Sequence, residues 1–545
     1  MLWDLGRLWV GVWWTGLLPD TRRWASIGFL HGVLIAYGFA LVTAALASVV
    51  SARRLIRARR RRERRPISAR VLALSVATLL GLAMLELGAW GFAVWNRLPP
   101  PPPRVPPKVP EARASGELVL LVLGESSAEG QPFQPWFSIG HVVARQIEQS
   151  NPGKKVRIIM AASGGIPLAS AVAELEYQKQ RPDLVLLYAG HNEFQARWGW
   201  TRVVNYYADD AFQRPRNGLS DRVGDWTAFT RMIRDAVDIQ RIDQPPSPKE
   251  IRALVERPVC EPSTRAALCR LFARELESIA DWCDRAGAVP IFVIPAGNDV
   301  GFDPDRSILS PSALAADRAA FSRDFLDALS LERKDPKQGM AAYRQLIDRQ
   351  PGFAESHYRL AVLLQADGKF DEASKHYTLA RDLDGLPMRC PSEFQDEYRK
   401  VAARHPGLVL VDAPARLSAI SPTGLLDDYV FHDGQHPTFR AYLALAEDAL
   451  SQLRSRGVFG LDRSPSRPID PSETASHFQL DAAKWAEVSR RSASFWGRLG
   501  VPRYDGSARF ARGARWLRAA DAIEKRTAPE EAGIPGLGVN PPKLR

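Results

Sequence analysis

The sequence predicts an α/β fold, with a doubly wound domain around a parallel sheet that follows two transmembrane helices. Short, nearly continuous apolar runs recur along the chain, and such runs are typical of strands that helices cover on both faces. Helical stretches at 139–149 and 168–180 separate the early runs. This alternation favours parallel pairing, because parallel neighbours need a crossover connection. The runs lie at 117–123, 156–161, 183–189, 289–294 and 408–411.

Two apolar stretches, at 25–50 and 71–95, precede this domain and flank an arginine-rich segment at 51–70. Each is long enough to cross a bilayer, which takes about 20 helical residues. Buried core helices are the alternative, but both stretches are evenly apolar and adjoin arginines. Because short cationic loops stay in the cytoplasm, we expect an inner-membrane protein whose catalytic part faces the periplasm or the exterior.

The distribution of charge argues against nucleic-acid binding. The net charge is +12 over 545 residues, but segment 51–70 holds ten Arg and one Glu, which leaves only +3 elsewhere. The first 24 residues carry five Trp in an apolar run too short to span, and this favours an interfacial helix. The proline-rich segment at 96–115 is expected to be an extended spacer.

Four short motifs hold the chemistry: GESSAEG at 124–130, SGG at 163–165, GHN at 190–192 and DGQH at 433–436. The first three directly follow predicted strands. In doubly wound sheets, ligands bind at the carboxyl ends of the strands. The motifs together supply a hydroxyl, backbone and amide donors, and an imidazole with a nearby carboxylate, which predicts a serine esterase site.

Each residue of this site receives a role from its chemistry. Ser126 is the predicted nucleophile. Because a serine hydroxyl is weakly nucleophilic by itself, it needs a base, and His436 is the predicted base. Asp433, three residues before His436, would hold the imidazole tautomer. The backbone N–H groups of Ser126 and Gly165 and the side-chain amide of Asn192 are the predicted oxyanion donors. Singly, each residue has a structural explanation, such as a turn or a helix cap.

These motifs resemble the blocks of the SGNH, or GDSL-type, hydrolase family. The resemblance covers about residues 116–330 and 385–455, and implies a flavodoxin-like three-layer α/β/α domain that hydrolyses esters with a Ser-His-Asp triad. The residues that match the family's blocks are Ser126, Gly165, Asn192, Asp433 and His436.

Two positions depart from the family's pattern. Glu125 stands where the family usually has Asp, and Met160 stands where a polar residue often precedes the second block. The choice between Gly164 and Gly165 as the second-block glycine therefore stays open. Neither departure removes a catalytic group.

An insertion at 320–384 interrupts the predicted hydrolase domain, which spans 116–455. It contains small, aromatic and apolar residues that repeat at 34 positions, the period of tetratricopeptide units. Ordinary helical-hairpin packing is the alternative. Two units would depend on the hydrolase domain for stability, and could bind a protein partner or form a wall of the cleft. The repeating pairs are Gly339 and Ala373, Tyr343 and Tyr377, and Leu346 and Ala380.

The other segments carry less information. The aromatic and arginine-rich segment 197–247 either overhangs the site or forms a surface subdomain. The C-terminal extension, 456–545, contains amphipathic helices near 482–499 and 508–524 to which we assign no function.

Four cysteines allow a disulfide on the oxidising side of a membrane. Cys260 and Cys269, which close a short loop, are the expected pair. No cysteine or histidine spacing suits a metal, and the chemistry needs no cofactor.

The sequence therefore predicts a membrane-anchored ester hydrolase of the carboxylesterase, deacetylase or lipase kind. Its expected substrate is an O-acyl ester of an envelope polysaccharide or of a lipid. An O-acyltransferase that uses the same acyl-enzyme is one alternative. A non-catalytic envelope assembly protein with tetratricopeptide-like repeats is the other.

Overall fold

The computed structural model describes residues 20–61, 66–97, 117–194, 229, 262–310, 313–461, 463, 468–500 and 507–541. The chain divides into two compact units. One comprises Met1–Leu98 with Val203–Pro245, and the other comprises Pro99–Arg202 with Pro246–Arg545. The predictions for residues 1–19, for most of the proline-rich spacer and for segment 197–247 lie outside the described residues.

Two long helices, α1 (Asp20–Arg60) and α2 (Pro66–Arg97), form the described part of the first unit. Both contain a stretch that is long and apolar enough to cross a membrane, at Phe39–Arg60 and Pro66–Ala89. Large apolar side chains on these helices are exposed, and Met84 is 74% accessible. Such exposure disfavours the alternative of buried core helices.

The predicted loop at 51–70 is wrong in its extent, because α1 continues as a helix to Arg60. Arginine, alanine and leucine, which dominate this stretch, are good helix formers. Arg57, Arg59 and Arg60 lie in the last helical turn, where positive charge interacts favourably with the helix dipole.

A five-stranded, fully parallel sheet forms the centre of the second unit and confirms the predicted α/β class. Each predicted apolar run forms a strand. The order, β2-β1-β3-β4-β5, is that of flavodoxin-like sheets. The strands are β1 Glu117–Gly124, β2 Lys155–Ala162, β3 Leu184–Tyr188, β4 Val289–Ile294 and β5 Val409–Asp412.

Helices cover both faces of this sheet. Among the described residues of the second unit, the α-helices that lie outside the insertion are α3 Ser126–Glu129, α4 Ile139–Ser150, α5 Leu168–Glu174, α6 Pro262–Ala286, α11 Ser392–Arg404, α12 Ala413–Ile420, α13 Phe439–Ser455, α14 Pro471–His477, α15 Ala482–Gly500 and α16 Ser507–Glu524.

Alternate strand residues reach the two helical layers. Leu120 and Val122 of β1 belong to one hydrophobic core together with residues of α4 and α13. On the opposite face, Phe292 of β4 packs edge-on against Tyr398 of α11, with ring centroids 6.1 Å apart. Because both faces are covered, the central strands β3 and β4 have no charged residue, whereas the edge strand β2 carries Lys155 and Arg157.

Four consecutive helices form the insertion: α7 Ala315–Lys334, α8 Pro336–Arg349, α9 Ala354–Ala366 and α10 Phe370–Asp382. Helices α8 and α10 begin 34 residues apart. Tyr343 and Tyr377, at equivalent places in these helices, are both buried. The insertion therefore consists of four consecutive helices, of which the second and the fourth begin 34 residues apart.

Cys269, one half of the expected disulfide, is a free thiol among the described residues. Cys260 lies outside the described residues. Burial raises the pKa of Cys269 to about 11, with Glu393 and Glu397 adding to the effect, and this disfavours the reactive thiolate.

Candidate active site

The turn after β1 presents Ser126. Gly124 ends the strand with φ +128°, and a side chain there would overlap the carbonyl oxygen of Tyr188. Glycine is therefore required where β1 passes β3 so closely. Ser126 begins the single-turn helix α3 and is 3% exposed. Tyr442 of α13 holds this helix from behind, since its hydroxyl donates to the carbonyl of Ser127 at 3.1 Å.

The DGQH motif forms a tight loop before α13 that brings His436 to Ser126. Ser126 Oγ lies 2.7 Å from His436 Nε2. On the other side of the ring, His436 Nδ1 lies 2.8 Å from Asp433 Oδ2. The carboxylate requires the proton on Nδ1, which leaves Nε2 free to accept the proton of the Ser126 hydroxyl.

Asp433 stays ionised in this buried loop. Burial alone would raise its pKa, but the interaction with His436 and hydrogen bonds from His436 and the N–H of Gln435 lower it on balance. Both backbone N–H groups, of Gln435 and His436, lie 3.0 Å from Asp433 Oδ1. The loop backbone thus holds the Asp433 carboxylate in place, and the carboxylate in turn orients the His436 imidazole.

Glu125, the departure from the family pattern, clamps the GHN loop. Its carboxylate accepts the backbone N–H groups of Gly190, His191 and Asn192 at 2.7, 3.0 and 3.1 Å. Burial, with repulsion from Glu193, raises its pKa to about 8 despite these three bonds. The Glu125 side chain, which is longer than that of Asp, therefore acts as a buried support that joins the GESSAEG motif to the GHN motif.

Asn192 supplies an unused donor. The residue is 4% exposed, and its Nδ2 has no hydrogen-bond partner among the described residues. Because nearly all buried polar atoms are satisfied, an exception of this kind needs an explanation. A negative oxygen that forms transiently during a reaction would satisfy it.

The second motif places Gly164 next to the nucleophile. A side-chain carbon built on Gly164 would lie 3.6 Å from Cβ of Ser126 and 3.8 Å from Oε2 of Glu129. Gly165 follows with φ +79° and has open space around it. The positive φ turns the chain sharply at the predicted donor position.

His191 and Glu193, on either side of Asn192, make structural contacts. His191 Nδ1 accepts the backbone N–H of Cys390 at 3.1 Å. Burial lowers the pKa of His191 to about 3, so the ring is neutral and is not poised for acid–base chemistry near neutral pH. Glu193 accepts the N–H of Leu168, at the start of α5, at 2.6 Å.

Asn298, in the loop after β4, was not identified from the sequence. Its backbone N–H donates to the carbonyl of Gly434 at 3.0 Å, and its Nδ2 donates to the carbonyl of Asp433 at 3.0 Å. It also donates to Asp428 at 2.7 Å. Its position at the carboxyl end of β4 was the one available signal, because the other motifs also follow strands.

The C-terminal helix α15 also contacts the site, although no function was assigned to it from sequence. The ring of Phe495 packs edge-on against the imidazole of His436, with centroids 4.7 Å apart. Next to it, Trp496 Nε1 donates to the carbonyl of His432 at 3.0 Å. The extension at 456–545 therefore includes one wall of the site.

Comparison with known proteins does not assign the chain to a family. No protein-family model matches it, and a search of curated proteins finds no match. The function has to be inferred from the geometry.

Proposed function

We propose that this chain is a membrane-anchored serine ester hydrolase of the SGNH type. One observation carries the proposal: the unbroken series from Ser126 Oγ to His436 Nε2 at 2.7 Å, and from His436 Nδ1 to Asp433 at 2.8 Å. Nucleophile, base and orienting carboxylate in this order form the serine-hydrolase triad. The three groups are buried, which strengthens their electrostatic interactions.

In the proposed reaction, His436 Nε2 takes the proton of Ser126 Oγ as that oxygen attacks the ester carbonyl carbon. The carbonyl oxygen becomes negative and is met by Asn192 Nδ2 and by the N–H groups of Ser126 and Gly165. His436 then protonates the departing alcohol, which leaves an acyl group on Ser126. Water, deprotonated by His436, attacks this acyl-enzyme and releases the carboxylic acid.

The helical insertion is proposed to be tetratricopeptide-like and to bind a protein partner. Support comes from matching contacts one repeat apart. The hydroxyl of Tyr343 donates to Glu332, and the hydroxyl of Tyr377 donates to Gln365, both at 2.6 Å. Each tyrosine thereby ties its helix to the preceding one.

The outward orientation is also part of the proposal. Arginines cluster between the two apolar helices, and the positive-inside rule leaves the remaining chain on the opposite side of the membrane. Cell-envelope esters would then be the accessible substrates.

Turnover of 4-nitrophenyl acetate by the detergent-solubilised full chain tests the hydrolase proposal. We expect Ser126→Ala to abolish the enzymatic rate, because no other hydroxyl is aligned with His436 Nε2 in the described part of the site. Arg518→Ala, at an exposed arginine on α16, is a matched control and should retain full activity. Equal rates for Ser126→Ala and wild type would reject the proposal.

A further inference from the structure

Helix α15 has three cationic side chains on one face. Lys484, Arg491 and Arg498 are seven residues apart, so each lies two helical turns beyond the last on the same side. At 1.5 Å of rise per residue, the row extends for about 21 Å. This is the length of a short oligosaccharide rather than of a single small ligand.

Aromatic rings lie between these cations. Trp136, from the loop before α4, has Lys484 Nζ 5.4 Å and the guanidinium of Arg491 4.9 Å from its ring centroid. The guanidinium of Arg498 lies 5.7 Å from the ring centroid of Phe495. We call these five residues the cation–aromatic strip.

The strip ends at the proposed catalytic base. The ring of Phe495 is in edge contact with the imidazole of His436, with centroids 4.7 Å apart. A ligand that lies along the strip would therefore end at the side chain that packs on the buried catalytic base. Arg498, beside that end, is exposed and has no carboxylate partner among the residues the structure describes.

The net charge of the strip is positive. Glu487 pairs with Arg491 at 2.9 Å, and this pair is exposed enough for solvent to screen it. Even with Glu487 and with Asp481, which caps the start of α15 beside Lys484, three cations face two carboxylates. Arg491 is also fixed in place by a 3.1 Å bond to the carbonyl of Pro132, so its guanidinium is pre-organised.

We propose that the cation–aromatic strip binds an acidic polysaccharide, a glycan whose sugar units carry carboxylates. Flat aromatic surfaces pack against the apolar faces of sugar rings. Arginine matches carboxylate geometry through paired N–H donors, which Arg498 would supply because Arg491 already donates to Glu487, Pro132 and Gln134. The proposed binding of the polysaccharide depends only on the residues of the strip. Delivery of an acylated sugar unit to Ser126 rests on the proposed esterase function.

A lipid ester fits this surface less well. Acyl chains need a dry, apolar cavity, whereas the strip is cationic and partly exposed over its whole length. An anionic lipid surface would be attracted by the charge but would make no use of rings set between the cations. The two ligands can be compared directly.

Calorimetric titration of the full chain in detergent tests the inference. The probes are an unesterified oligogalacturonate and an uncharged cello-oligosaccharide of equal length. We expect the acidic probe to bind at least about tenfold more tightly, roughly 1.4 kcal/mol, and its affinity to fall with added salt. Because the probe carries no ester, this result does not depend on esterase activity.

Matched variants locate the binding. Lys484→Ala combined with Arg498→Ala should weaken oligogalacturonate binding at least about tenfold, while Arg518→Ala, an exposed arginine elsewhere on the same hairpin, should bind as before. Equal melting temperatures would show that all variants are folded.

Three results would overturn the inference: equal affinity for both oligosaccharides, a double variant that binds like Arg518→Ala, or binding only to phosphatidylglycerol vesicles. If 4-nitrophenyl acetate is hydrolysed through Ser126 but the acidic probe does not bind, the strip is rejected while the hydrolase proposal stands. If the probe binds but no ester is hydrolysed, the hydrolase proposal is rejected while the strip proposal stands.

Discussion

At the scale of single residues, Asn192 is the feature that a purely structural explanation accounts for least. Its side-chain amide is buried with Nδ2 unpaired within the described chain, and an unmet buried donor costs about 1–3 kcal/mol. Meanwhile its backbone N–H is held by Glu125. A group that is positioned and yet unsatisfied is suited to stabilising a charge that exists only in a transition state.

We therefore predict that Asn192→Ala lowers kcat for 4-nitrophenyl acetate about 100- to 1,000-fold, the usual loss for one oxyanion donor. Thermal stability should not fall, because the substitution removes an unsatisfied group and little packing. Steady-state kinetics with a parallel melting curve measure both effects. A variant with wild-type kcat would exclude Asn192 from the oxyanion site.

Glu125 gives a prediction for pH. Burial and Glu193 raise its pKa to about 8 from an ordinary value of 4.5. Between these values, the folded chain keeps a proton that the unfolded chain has released. The resulting stabilisation is complete below the unfolded pKa and is lost as pH rises through about 8.

Glu125→Gln mimics the protonated carboxyl group and should remove this dependence. Wild type should lose stability relative to Glu125→Gln as pH rises from about 5 to about 8, as measured by urea unfolding at a series of pH values. The comparison with the variant cancels the contribution of every other titrating group. Parallel stability curves would show that Glu125 does not titrate in this range.

The sequence allowed some site residues to be predicted but not others. Ser126 and Asn192 follow strands directly, and His436 has a carboxylate three positions away, so residue type and position indicate them. Asn298 acts through hydrogen bonds to the backbone of Asp433 and Gly434, and such bonds leave no residue pattern. Phe495 lies in a helix far along the chain, and only tertiary packing brings it to His436.

At the scale of elements, the hairpin of α15 and α16 is fixed by buried charge. Arg509 of α16 is 2% exposed and pairs with Asp305 at 2.5 Å and with Asp303 at 2.9 Å. Its guanidinium also stacks 3.8 Å from the ring centroid of Phe302. Both carboxylates lie in the loop after β4, so the hairpin that carries Phe495 is anchored to the sheet domain.

Removing Arg509 should therefore be costly. We predict that Arg509→Ala lowers the free energy of unfolding by about 3–5 kcal/mol, because it removes a buried guanidinium that pairs with the fully buried carboxylate of Asp305. The exposed pair of Arg490 and Glu524 is the control, and Arg490→Ala should cost less than about 1 kcal/mol. Urea unfolding measures both changes. Similar small losses for the two variants would contradict the anchoring role.

The insertion is joined to the same loop by a second buried cluster. Arg381 and Arg389 both pair with Asp299, at 3.0 and 3.1 Å. Arg389 also donates at 2.9 Å to the carbonyl of Asn298, the residue whose N–H groups hold the Asp433 loop. The 34-residue period predicted the helices, but not this attachment, because buried ion pairs between distant segments follow from tertiary structure alone.

At the scale of the whole molecule, the sequence predicts the parallel sheet from short apolar runs that helices separate, and the two N-terminal helices from long apolar runs. Helix α1 extends further than the arginine-rich sequence predicts, because arginine forms helix well. Amphipathic helices in the C-terminal extension were foreseen. Their packing on the catalytic loop was not, because amphipathicity shows that one face is buried but not against what.

Membrane anchoring can be tested on the whole chain. The apolar helices expose side chains such as Met84 and Leu87, at 74% and 66%, which water would solvate poorly. We predict that the full chain stays in the membrane pellet after alkaline carbonate washing and is released only by detergent. Release by carbonate alone would mean that neither helix spans the bilayer.

The alignment of Ser126 with His436 is the central claim, and covalent labelling tests it most directly. The folded full chain is treated with a fluorophosphonate probe and digested, and the labelled peptide is identified by mass spectrometry. We expect one adduct, on Ser126, that is lost in His436→Ala because the hydroxyl no longer has its base. An unlabelled Ser126, or labelling that persists equally in His436→Ala, would contradict the assignment of this site.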